Sequence, residues 1–421
     1  MKSLAVSYSR HLLDNLIVAM FAILPVVDSV NGFLVRQTGI SIGSIYKVFL
    51  CSFLFLPLLK SRKIRTKSFS TLLVAVVYIL FSTGANTFLL SESRPRTDFV
   101  IKLLFNIFTF VLLLENYHQG VLTKDSFYRM LNFSAWLLPV CYFIPYVLGL
   151  GYRVYSGSIG YKAFFIAQNE LSLIIIVLFY FCLYKLTLQL RLSTLIQSGL
   201  LLLCGLLLNT KSTILACLFG VAVCFLYIMV KMPIQVRLAA VVVLAFAGIA
   251  FYDVIVEVCS AMVERFTSLM TKHYEGSVLT AVLSGRDYLL EDAMEELSRN
   301  HFLFRFLFGN GFCSGVLIEM DILDIFFYLG FFGAVAAVFF LGLIYAKSRK
   351  NFRSDPSPVR LLSYILVIVF LNITGHVLFM AMSGCYFVVY MCFLMVYQPP
   401  ADRKDIAYTP LPRPLKPYNN M

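Results

Sequence analysis

The sequence predicts an all-α integral membrane protein of about 12 transmembrane helices, with one large outer loop that contains short amphipathic helices. Two compositional observations point there. Of the 421 residues, 60% are hydrophobic and 14% charged, whereas soluble chains run near half apolar and a quarter charged. The apolar residues come in continuous blocks such as LSLIIIVLFYFCLY and TILACLFGVAVCFLYIMV, without the alternation of a transmembrane β-barrel. A soluble enzyme and a barrel are both excluded.

A span takes about 20 residues, and apolar blocks of that order fall near 12–33, 41–59, 70–90, 98–114, 130–150, 165–184, 194–209, 213–230, 236–252, 321–346, 361–379 and 381–398. The first follows Lys2 and Arg10 and imitates a secretory signal, but no small-x-small cleavage site follows it, so it is expected to stay as a span. Placing the N-terminus inside puts 22 of the 35 Lys and Arg on the inner side, five of them in KSRKIRTK (60–67). The positive-inside rule supports that orientation. Both termini are then cytoplasmic, and 253–320 faces out between helices 1–9 (1–252) and helices 10–12 (321–398).

Twelve of the 22 acidic residues lie between Asp253 and Asp324, so this outer segment holds most of the soluble chemistry. The remaining tail, 399–421, is proline-rich and expected to be a disordered cytoplasmic end. The net charge of +13 sits in short clusters between spans, which reflects topology and does not point to nucleic acid. The ten cysteines show no CxxC and no Cys/His metal spacing. Most fall in apolar blocks as packing residues, while Cys259 and Cys313 lie in the polar segment, where an oxidising compartment would permit a disulfide.

Within the outer segment, Ser284 and Asp287 resemble a capping box, so a helix is expected from 285. Leu289, Leu290, Ala293, Met294 and Leu297 give it one apolar stripe, and Arg286 projects from that stripe. Arginine in a first turn opposes the helix dipole, and no acid stands at 289 or 290 to pair with it. An inward arginine at a helix N-terminus suits a phosphate or diphosphate; snorkelling to lipid headgroups or a distant acid partner explains it equally well.

Next, HFLFRFLFGNGF (301–312) is too short to span and ends in a Gly309, Asn310, Gly311 turn. His301 and Arg305 would share a face if it is helical, with Arg305 as either a ligand contact or a headgroup anchor. Glu319, Asp321 and Asp324 run into the tenth span. On a continuous helix Glu319 lies about 20° from Gly330 and Gly333 about 40° to the other side, which would set an acid above a close-packing glycine face. Burial there would raise its pKa toward that of a useful base. Acids also simply favour helix N-termini, which accounts for at least one of the two aspartates. Gln168, Asn169 and Glu170 open the sixth span, and Asn209, Thr210, Lys211 and Ser212 separate the seventh and eighth. Polar groups at membrane depth are functional candidates, and Glu170 and Lys211 are equally expected as a structural ion pair.

With these residues in view, the chain resembles the O-antigen ligase and polymerase superfamily over roughly 150–335. The resemblance rests on FFIAQNELS (164–172), LLNTKSTILA (207–216), SGRDYLL (284–290), LFGNGF (307–312) and EMDILDIFFYLGFFG (319–333). Glu319 and Met320, nine residues, Gly330, two residues and Gly333 reproduce the family's spacing before its tenth-span glycines, with Glu319 in place of the histidine that ligases use. That favours a polymerase. Lys211 stands where many relatives carry arginine.

The resemblance implies a bacterial inner-membrane glycosyltransferase with its site on the outer face. It would extend a glycan from polyprenyl-diphosphate-linked oligosaccharide repeat units, with inversion and with neither metal nor cofactor. Glu319 would be the base or acceptor anchor. Arg286, with Arg265 and Lys211, would neutralise the leaving diphosphate, while Asn169, Glu170, Arg305, Asp321 and Asp324 would hold substrate or shape the site. Membrane lipid, a flippase and a chain-length regulator are the implied partners. The alternatives are an O-antigen ligase, which would pass the finished glycan to a surface lipid, and a polysaccharide flippase or transporter.

Overall fold

The computed structural model describes residues 2–398 except 62–65, 90–95, 155–159, most of 236–284, 300, 314, 355–357 and 376–377. The described residues contain no strand, only one isolated bridge between Arg153 and Tyr161. In chain order the helices are α1 (Lys2–Ala22), α2 (Leu24–Thr38), α3 (Ile42–Ser61), α4 (Thr66–Gly84), α5 (Thr97–His118), α6 (Lys124–Val147) and α7 (Gln168–Leu188). They continue as α8 (Leu192–Leu208), α9 (Lys211–Lys231), α10 (Arg286–Arg299), α11 (Phe302–Phe308), α12 (Asp321–Ser354), α13 (Pro358–Thr374) and α14 (Ala381–Val396).

Among the described residues, seven helices are long and apolar enough to cross a membrane, and eight if α1 and α2, bent by 43° at Ile23, form one span. This is an α-helical membrane protein. The blocks at 194–209, 361–379 and 381–398 fall on apolar helices of 10–17 residues, shorter than a full span. The block at 236–252 lies mostly outside the described residues, as do Arg265, Cys259 and the tail 399–421.

Helix α7 is the axis of the bundle. In its apolar window 83% of residues are buried, against 17–44% in the other candidate spans, because α6, α8, α9, α13 and α14 pack around it. The sequence accounts for this: from Leu171 to Tyr184 every residue but Ser172 is apolar on all faces of the helix, the pattern of a segment surrounded by protein. Lipid-facing helices instead leave large side chains bare, as with Leu12, Val48, Val74 and Leu215.

The tenth block departs from a continuous helix. At Gly330 φ is 68° and ψ −170°, a combination essentially confined to glycine. The break lets another backbone in: a Cβ built on Gly330 would lie 2.4 Å from the Leu307 carbonyl carbon and oxygen, and one on Gly309 would lie 2.3 Å from those of Tyr328. Helix α11 and the turn after it thus lie directly against the broken segment, with Asn310 N–H donating to the Phe327 carbonyl and Gly311 N–H to that of Tyr328, both at 2.9 Å. Helix α4 and the π-helical turn that follows it, Ala85–Leu89, supply three more donors to this backbone. Tyr78 donates to Leu329 O at 2.5 Å, Ser82 to Phe308 O at 2.6 Å and Asn86 to Gly309 O at 2.9 Å. Non-helical backbone at membrane depth is tolerated where protein groups satisfy it in this way.

Two sequence expectations are corrected here. Glu319 is not on the tenth-span helix, since α12 begins at Asp321 and Glu319 precedes it with φ +62°, so its predicted alignment over Gly330 and Gly333 fails. The neighbour that approaches Gly330 closely is the 307–309 backbone. Nor do His301 and Arg305 share a helical face. His301 is the exposed N-cap of α11 with φ +52°.

Candidate functional site

The site is assembled at the end of the bundle where α7, α12 and α14 begin. Helix α10 lies across it. Its predicted stripe is present, with Ala293 and Leu297 buried in a cluster that includes Phe312, Ile318, Tyr328 and Phe379, although Met294 is 49% exposed. The helix starts at Arg286, after Gly285 at φ +80°, whose N–H donates to the Thr280 carbonyl at 2.9 Å. Ser284 lies outside the described residues, and the Asp287 carboxylate accepts from the Thr280 hydroxyl.

The unpaired arginine of the sequence has its acid. Arg286 is buried, and its Nη2 lies 3.6 Å from Glu319 Oε2, whose side chain is 40% exposed. The third member comes from the turn after α13. A Cβ built on Gly375, which has φ +91°, would stand 2.8 Å from Asn169 Nδ2, 3.5 Å from Arg286 Nη2 and 3.6 Å from Glu319 Cβ. Asn169, Arg286 and Glu319, from three distant stretches of sequence, therefore converge on one bare backbone position.

Asp321 and Asp324 are fully buried and hold backbone. Asp324 accepts from the amides of Ile318 (2.9 Å) and Met320 (3.1 Å), the two neighbours of Glu319. It thereby fixes Glu319 in a left-handed conformation that an L-residue adopts at a cost of about 1–2 kcal/mol. Asp321 accepts from Leu378 N–H at 2.9 Å and ties the Gly375 turn to the head of α12. Both shape the site, and both also sit at the helix N-terminus where the dipole favours them.

Glu170 is half-buried at the head of α7 and lies within electrostatic reach of the Met382 and Ser383 amides in the first turn of α14. Lys47 and Lys102 are the cations whose charge reaches it, and the described ion pairs do not include Glu170 with Lys211. Lys102 Nζ also lies 3.3 Å from Asp98 Oδ2 and 3.9 Å from Met380 Sδ, and Lys47 lies 3.9 Å from the buried Asp28. Lys211 is exposed at the head of α9, next to Thr210, whose hydroxyl is 2.9 Å from that of Ser172 on α7; it stands at the same end of the bundle. Arg305 is buried and donates to the Glu296 carbonyl at 3.1 Å, which makes it a tie between α10 and α11 and removes it as a headgroup anchor. Burial lowers its pKa. Cys313 is also buried, with its sulfur 3.3 Å from the Thr87 hydroxyl.

Sequence reasoning missed Gly375, Lys102, Lys47 and Asp28. Asp28, Lys47 and Lys102 carried a usable signal, because each is an ionisable residue inside an apolar block. Gly375 carried none, since its meaning comes from what approaches it. The set can hold an anion on Arg286, accept a proton on Glu319 and orient a polar group through Asn169. Neither a family model nor a curated protein matches the chain.

Proposed function

We propose that this protein polymerises lipid-linked oligosaccharide repeat units, transferring glycan from a polyprenyl diphosphate to an acceptor sugar on the outer face of a bacterial inner membrane. The observation that carries the reading is the convergence of Arg286, Glu319 and Asn169 on Gly375 at one end of an apolar helical bundle. A membrane-embedded lipid diphosphate would bring its charge to such a place, where water competes poorly with a buried guanidinium.

In this reading the acceptor hydroxyl oxygen forms a bond to the anomeric carbon while the carbon–oxygen bond to the diphosphate breaks. The electron pair leaves with the polyprenyl diphosphate, and Arg286 stabilises the charge that gathers there. The hydroxyl proton passes to Glu319, and Asn169 orients a sugar hydroxyl. Twelve spans, with both termini inside and 253–320 outside, complete the proposal; an introduced cysteine at 278 should react with an impermeant reagent in intact cells.

The test is polymer length from purified protein and lipid-linked repeat units. Arg286→Ala should abolish extension, and Arg286→Lys should retain part of it, because a point charge cannot reproduce the planar fork. Glu319→Gln should slow the reaction about 10²–10⁴-fold, with partial recovery in Glu319→His. Normal polymers from both Arg286→Ala and Glu319→Gln refute the assignment.

One observation favours a second reading, a polysaccharide flippase. Broken helices at the membrane midplane are common in transporters, and α12 breaks at Gly330. Movement of labelled lipid-linked oligosaccharide across proteoliposomes, without chain extension, would establish it.

A further inference from the structure

The other end of α7 carries a cavity of about 160 Å³ between α6, α7 and α8, lined by Tyr128, Asn132, Trp136, Lys185, Arg191 and Gln197 among others. Seventeen residues separate Lys185 from Gln168 on that helix, so at about 1.5 Å per residue the cavity is roughly 25 Å from the Arg286 and Glu319 site. It is a separate place with its own chemistry.

Among the described residues, both charged side chains that line it, Lys185 and Arg191, are cations. Lys185 Nζ donates to Asn132 Oδ1 at 2.6 Å and to Gln197 Oε1 at 2.8 Å, while Gln197 Nε2 donates to the Asn132 carbonyl at 3.0 Å. The ammonium is thereby held in place by acceptors that, among the described residues, are neutral. Its ring neighbours, Tyr128 at 5.8 Å and Phe181 at 5.4 Å, offer only π faces. Arg191, at the N-cap of α8, brings a second positive charge beside the positive dipole end of a 17-residue helix. Two like charges kept beside one cavity raise each other's energy unless an anion joins them.

The surroundings indicate where that anion comes from. Leu190 is 57% exposed, Leu192 73%, Leu195 57% and Ile196 47%, so the chain on both sides of Arg191 presents bare aliphatic surface of the kind that meets acyl chains. Basic pockets between membrane helices bind acidic headgroups. We propose that this cavity binds the phosphate of an anionic phospholipid, with Lys185 and Arg191 on the headgroup and the α8 leucines along the acyl chains.

Trp136 is the single tryptophan of the chain and lines the cavity, so its fluorescence reports on this site alone. Purified full-length protein is titrated with brominated phosphatidylglycerol and, separately, with brominated phosphatidylcholine, and quenching of Trp136 is followed. The anionic lipid should quench at a mole fraction about tenfold lower than the zwitterionic one, as expected of a charged hydrogen bond. Arg191→Gln, an exposed position whose change leaves the Lys185 network intact, should remove most of that preference, and Arg191→Lys should keep part of it. The double variant Lys185→Gln with Arg191→Gln should remove all of it. Equal quenching by the two lipids, or a preference unchanged in Arg191→Gln, overturns the proposal. Loss of the preference on adding millimolar inorganic phosphate would also overturn it, by identifying the free ion as the ligand.

Discussion

Gly330→Ala tests the broken helix directly. The added methyl would stand 2.4 Å from the Leu307 carbonyl carbon and oxygen and 2.5 Å from Gly309 N, all of them backbone atoms that cannot rotate away. An alanine would also have to adopt φ +68°, ψ −170°, at about 1–3 kcal/mol. Forcing apart packed backbone adds about 1–3 kcal/mol. The loss is therefore about 2–6 kcal/mol, a large part of a typical stability of about 5–15 kcal/mol. Gly342 provides the control, because it lies in the same helix and a Cβ there meets nothing within 4 Å. Gly342→Ala should be neutral or stabilising, by up to about 1 kcal/mol. Equilibrium unfolding in mixed micelles measures both. If Gly330→Ala loses no more stability than Gly342→Ala, α12 is continuous and the account of the α11 insertion is wrong.

Other expectations concern the candidate site. Asp324→Asn keeps the size of the carboxyl but can present only one oxygen to the amides of Ile318 and Met320; polymerisation should fall about tenfold, and much less in a Glu319→Gln background, since the loss acts through Glu319. Glu319→Gly relieves φ +62° by about 1 kcal/mol and removes an ion pair with Arg286 of similar worth, so stability should stay nearly unchanged while chain extension is lost. A double-mutant cycle on Arg286 and Glu319, read by unfolding, should give a coupling of about 1 kcal/mol, because the carboxylate is 40% exposed and screened. Gly375→Ala should reduce activity, as its methyl would reach within 2.8 Å of Asn169 Nδ2, and should also cost about 1–3 kcal/mol of stability because of φ +91°; activity per folded protein separates the two.

The helical membrane class was legible because it depends only on composition and on the length of apolar runs. Arg286 was legible as an inward arginine with no local partner, and the partner proved to be another residue singled out in the sequence. The reasoning that brought Glu319 forward was nevertheless unsound. It projected residues 319–333 onto one helix, and two residues break that projection: Glu319 itself, outside the helix, and Gly330, where the helix is interrupted. A glycine in an apolar block signals that something comes close, and the sequence does not say whether the visitor is a helix or a loop. Arg305 was ambiguous for a similar reason, because its role depends on where the end of α10 lies. Glu170 found its partners in α3, α5 and α14, which a reading limited to polar clusters near the outer loops does not connect.

The hydrogen bonds from α4 and the turn after it impose an order on biogenesis. Ser82 gives its hydroxyl to a carbonyl 226 residues further along the chain, Asn86 its side-chain amide to one 223 residues on, and Tyr78 its hydroxyl to one 251 residues on. At a synthesis rate of about 5–20 residues per second, the receiving backbone emerges roughly ten to fifty seconds after α4 does. During that interval three polar side chains wait in or near the lipid without their final acceptors. Nascent α4 must therefore be sheltered at the insertion machinery or lie shallow in the bilayer until α11 and α12 arrive, which makes closure of this corner one of the last steps in building the protein.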